Sequence, residues 1–125
     1  MDEDLKKKLS RDPSGLLTYE YIANNIDNID DIMPELVQNM IMVDAKGQFV
    51  ASTARYLHAI DKEKYASAID TLVRAAIDKD REHAYLPDLI AALWGPDYRE
   101  RADELSAADD NFRRIYKRLY PAKGL

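Results

Sequence analysis

The residues best placed to do chemistry in this 125-residue chain are cations near its C-terminal end. In the stretch NFRRIYKRLYP, Arg113, Arg114, Lys117 and Arg118 fall on one side of a helix. Phe112, Ile115, Tyr116 and Leu119 fall on the other. A basic amphipathic helix of this kind suits an acidic protein, a nucleic acid or an anionic membrane. It also has an internal use. The apolar side can dock on the core while the cations answer Asp103, Glu104, Asp109 and Asp110 and complement the helix dipole in the last turn. Internal use is the expectation, because charge on one helix face is ordinarily just solvated. Arg113, Arg114, Lys117 and Arg118 nevertheless stand as the candidate partner-binding residues.

Other reactive side chains form weaker patterns. Asp27, Asp30, Asp31 and Glu35 cluster, and carboxylates at this spacing could share a divalent cation. Hard cations normally want four or more converging oxygens, so the expectation is acids in a first helical turn and no metal. His58 and His83 are the only histidines and there is no cysteine, which leaves too few soft donors for a zinc or iron site. Both histidines read as surface or edge residues. The chain has no nucleophile elbow, no phosphate-binding loop and no dinucleotide fingerprint. The four glycines, at 15, 47, 95 and 124, lie where helices stop or the chain ends. No catalytic residue and no cofactor are expected, and the chain is read as not an enzyme.

Composition narrows the partners. With 46% hydrophobic and 33% charged residues, the chain has enough apolar surface for a packed core of one domain. Its net charge of −5 argues against nucleic acid as the main partner, since a polyanion demands a basic face. The charge is uneven: residues 1–46 carry ten acids and five bases, whereas 111–125 carry five bases and no acid. No apolar run is long enough to span a bilayer, and the charged opening is not a signal peptide. A cytoplasmic protein without a membrane partner is expected.

The elements that position these residues follow from periodicity. Tyr65, Ala68, Ile69, Leu72, Val73, Ala76 and Ile77 recur at three- and four-residue steps over Lys62–Asp78, with Asp61 as a candidate N-cap. This predicts the organising helix of an all-α core. Residues 1–15 read as a loosely ordered lead-in, closed by Asp12, Pro13, Ser14 and Gly15, and 16–125 as a single all-helical domain. Leu36–Val43 is apolar nearly all round, which suggests either a central helix or a homodimer contact. Between residues 40 and 52, apolar runs flank Asp44-Ala-Lys-Gly47 and permit a small β-hairpin. Helix–loop–helix is preferred there, with Gly47 as a C-cap and a new helix from Gln48.

Further on, Pro87 breaks or restarts a helix ending at Gly95-Pro96, and Ser106 or Asp109 caps the last one. Ala59–Lys64 partly repeats as Ala76–Arg81; this reads as reused helix punctuation rather than a true repeat array. The sequence therefore predicts a compact bundle or orthogonal array of five to seven short helices. Its expected role is a non-catalytic protein–protein interaction or regulatory module with an unknown protein partner. A nucleic-acid-associated factor using the basic last helix is the alternative, and a small enzyme comes third.

Overall fold

The computed structural model describes residues 1–121. Within them are eight α-helices and two single-turn 3-10 helices, with no strand. The α-helices are α1 (Glu3–Ser10), α2 (Leu16–Asn24), α3 (Met33–Val43), α4 (Gln48–Asp61), α5 (Ala66–Lys79), α6 (Leu86–Trp94), α7 (Ala102–Ala108) and α8 (Asp110–Leu119). The all-helical expectation holds, and the hairpin alternative at 40–52 gives way to α3, a short loop and α4. One helix more than the expected seven appears because the supposed lead-in contains α1. Asp2 accepts the Leu5 amide at its N-terminus, and Leu9 on its inner side is almost wholly buried.

The organising helix is where its apolar stripe puts it. Ile69, Leu72, Val73, Ala76 and Ile77 of α5 are all buried. It starts one turn later than expected, at Ala66, and Asp61 accepts the Lys64 amide in the preceding turn (3.0 Å). Pro34 occupies the first turn of α3 and Pro87 that of α6, where a missing amide donor costs nothing.

The helices are joined as consecutive pairs, but they pack mainly on other neighbours. α1, α3 and α5 neighbour one another in one layer; α2, α4, α6 and α8 follow one another in the second. The tightest junction is α4 against α5, and α8 lies across both α5 and α6. Each pair turns at a corner built around one aspartate, and these corners recur roughly thirty residues apart, close to the size of a helical-pair unit. At the first corner Asp12 accepts the Ser14 and Gly15 amides on Oδ1 and the Thr18 amide and hydroxyl on Oδ2. At the second, Asp44 accepts Lys46 and Gly47 on Oδ1 and Phe49 and Val50 on Oδ2, all within 2.8–3.1 Å. At the third, Asp80 accepts Ala84, Tyr85 and Leu86. Asp12, Asp44 and Asp80 are 4%, 2% and 2% exposed, so each carboxylate spends its oxygens on the first amides of the next helix.

Three residues after each of these aspartates the backbone is left-handed: Gly15 (φ 105°), Gly47 (φ 92°) and His83 (φ 56°). Glycine adopts this without penalty, and His83 does not. Gly47 thus opens α4, whereas Asp44 ends α3, correcting the expected C-cap role of the glycine. The corners also stack. A Cβ on Gly15 would meet Phe49 Cβ at 3.0 Å and Asp44 Cβ at 3.2 Å; one on Gly47 would meet the Asp80 amide nitrogen at 3.3 Å. Each corner glycine therefore lies against the next corner. Asn39 ties the first two pairs together: its side-chain amide donates to the Leu9 carbonyl and to Thr18 Oγ1, both at 3.0 Å. Asp109 makes a fourth, tighter corner between α7 and α8, accepting the Asn111 and Phe112 amides and the Trp94 indole.

The two halves of the partial repeat sit at unlike corners. Asp61 ends α4, between pairs, and Asp80 follows α5, within a pair.

Candidate functional site

The basic face of α8 is present, and most of it is occupied by the chain itself. The helix is amphipathic, burying Phe112 and Ile115. Arg113 pairs with Asp110 within the helix, and its guanidinium holds the Asp110 carboxyl below the usual carboxylate range. Arg114 reaches Asp78 of α5 at 3.4 Å. Arg118 donates to the Ile77 carbonyl near the end of α5, where a cation also meets the negative pole of that helix. Lys117 is exposed and forms no ion pair among the described residues. Of the acids expected to answer these cations only Asp110 does so; Asp78 and a carbonyl replace Asp103, Glu104 and Asp109. Lys123 lies outside the described residues.

The remaining candidates are dispersed. Asp30 pairs with Lys64 at 3.0 Å, and Glu35 meets the Met1 amino group at 2.7 Å. Among the described residues no three acids or histidines converge as a metal site. His58 is half-buried on a cleft of about 420 Å³ between α4, α5, α6 and α8, floored by Ile69, Val73, Leu93 and Trp94. Burial, and then the nearby Lys62 charge, lower its basicity. Asp70 and Asp109 on the same cleft are spoken for: Asn111 donates to Asp70 at 2.7 Å and Trp94 to Asp109 at 3.2 Å. Leu36–Val43, the proposed dimer segment, keeps Leu36, Val37 and Met40 buried inside this chain and exposes Met42 by 65%. Met42, Gln38 and Pro34 line a groove of about 530 Å³ between α1 and α3; Pro34 and Gln38 also border one of about 350 Å³ between α3 and α5.

The corner edge went unnoticed in the sequence. It gathers Arg11, Lys46, Lys79 and Arg81, none in an ion pair among the described residues, around corner aspartates whose oxygens face inward. A depression of about 400 Å³ there is bordered by Lys46, Lys79, Arg81, Glu82, Ala84 and Tyr85. The available signal was the recurrence of Asp-x-x-Gly at 12–15 and 44–47; the third copy hides it by ending in His83.

Comparison with protein-family models, with curated proteins and with solved structures returns no match. No described helix is long and apolar enough to cross a membrane.

Proposed function

We propose that this chain is a non-catalytic protein-interaction module of the cytoplasm. The observation that supports this best is the stack of aspartate corners, with Gly15 against the second and Gly47 against the third. It spends the buried polar groups on holding corners together and leaves helix faces and the corner edge outward as shallow grooves. A partner can spread over such a surface without any side chain being strained or activated. The nucleic-acid reading draws less support, because Arg113, Arg114 and Arg118 are already tied to Asp110, Asp78 and the Ile77 carbonyl. Tagged full-length chain, cross-linked in its native cells and purified at about 150 mM salt, tests the proposal. A defined protein partner, displaced by excess untagged chain, is expected. Recovery of nucleic acid alone, or of a metal or small molecule that the chain turns over, would overturn it.

A further inference from the structure

We infer that the edge formed by the second and third corners is the docking surface for an acidic, apolar-studded peptide segment of a partner protein. This rests on the reading of the chain as an interaction module and names the surface and the partner's chemistry.

Three observations converge on that edge. The first is charge. In a chain of net charge −5, Lys46, Lys79 and Arg81 lie together at the second and third corners. Asp12, Asp44 and Asp80 do not neutralise them from the surface, since their oxygens point inward and accept backbone amides. Exposed acids near the third corner are Glu82, Asp88 and Asp78, the last paired with Arg114. Three of the four α8 cations, Arg113, Arg114 and Arg118, have internal partners by contrast.

The second observation is register. Gly15 lies against the second corner and Gly47 against the third, so the corners follow one another along one edge. Five residues on from Asp12, Asp44 and Asp80 come Leu17, Phe49 and Tyr85, with Leu17 42% exposed and the two aromatics half-buried. Each is a large apolar or aromatic side chain near the opening of its helix, and Tyr85 borders the same depression as the cations. Neighbouring helices pack about 8–10 Å apart, and an extended peptide covers that distance in about three residues. The third is shape: Lys46, Lys79, Arg81 and Tyr85 border one depression of about 400 Å³.

A peptide with carboxylates toward the cations and an apolar side chain at every third position matches this surface in charge and spacing. Duplex nucleic acid fits less well. Three cations are few for a polyanion, Glu82 stands among them, and the apolar side chains have no use against a phosphate backbone.

The test uses the full chain and a short fluorescein-labelled peptide of Glu residues with Leu at every third position, read by fluorescence anisotropy. Wild type should bind it saturably. The triple variant Lys46→Glu/Lys79→Glu/Arg81→Glu should bind about tenfold or more weakly, since reversed charges at a docking site repel the same ligand. The milder pair Lys46→Gln/Arg81→Gln should show a smaller loss in the same direction, which keeps the test sound if the triple variant melts early by circular dichroism. Arg113→Gln/Lys117→Gln should bind as wild type does. Absence of saturable binding, equal binding of a peptide with Lys in place of Glu, indifference to both corner variants, or displacement by a duplex oligonucleotide at lower concentration would each overturn the inference. A cellular partner retained by the corner variants would sink this surface while leaving the interaction-module reading in place; capture of no partner by wild type would sink that reading instead.

Discussion

Asp44 shows what one residue does here. Its carboxylate accepts four backbone amides that would otherwise face a nearly dry corner without partners. Asp44→Ala should destabilise the fold by about 2–4 kcal/mol in chemical denaturation, the sum of a lost N-cap and of donors left unmatched. The third corner offers the opposite experiment. His83 holds a left-handed backbone at φ 56° where its counterparts are glycines, so His83→Gly should stabilise by about 0.5–1 kcal/mol after glycine's own entropic cost. A loss of stability there would mean the side chain contributes more than its backbone costs.

Asp12 adds a pH dependence. Burial pushes its carboxyl up, but hydrogen bonds from Thr18, Gly15 and Ser14 outweigh burial and hold it below the ordinary 3.8. A folded pKa below the unfolded one contributes stability at pH values above 3.8 that disappears as pH falls through the folded value. Asp12→Asn should therefore be less stable near neutrality, and its denaturation midpoint should change less than wild type between about pH 5 and pH 2. An unchanged acid slope would count against this role.

The helices themselves depend on their apolar stripes. Leu72 is fully buried where α5 meets α3 and α4, and Leu72→Ala should cost about 2–5 kcal/mol, the usual range for a buried leucine. A loss below about 1 kcal/mol would place α5 at the periphery. α8 illustrates how an element's chemistry is decided by what it packs on. Alone it is a basic amphipathic helix; laid across α5 it finds Asp78 and the Ile77 carbonyl within reach. Surface pairs of this kind contribute only about 0–1 kcal/mol each, so their significance lies in where the cations are held rather than in stability.

At the scale of the molecule, helix pairs stacked corner upon corner form two layers, and that arrangement determines which apolar surface is left over. Leu36, Val37 and Met40, which could have served a homodimer, are covered by this chain, and Met42 is the large apolar side chain of that segment left outside. Light scattering at micromolar concentration should therefore report a monomer. A dimer abolished by Met42→Asp would instead show that the α1–α3 groove accepts a second copy.

The sequence by itself determined the all-α class and the stripe of α5, and it narrowed Pro87 to a break or restart and the last cap to Ser106 or Asp109. These depend on spacing within a turn or two of chain, which a reader of residues can follow. α1 is hard to read because a short helix of mostly charged residues shows a stripe of only Leu5 and Leu9. Asp12 and Asp44 were legible in turns, but Asp80 and the recurrence of the device were not, because His83 replaces the glycine in the third copy. Only the tertiary structure decided which cations are held internally and which lie along an edge. That depends on distances between residues far apart in the chain, such as Arg114 and Asp78 or Gly47 and Asp80, and helix packing alone brings them together.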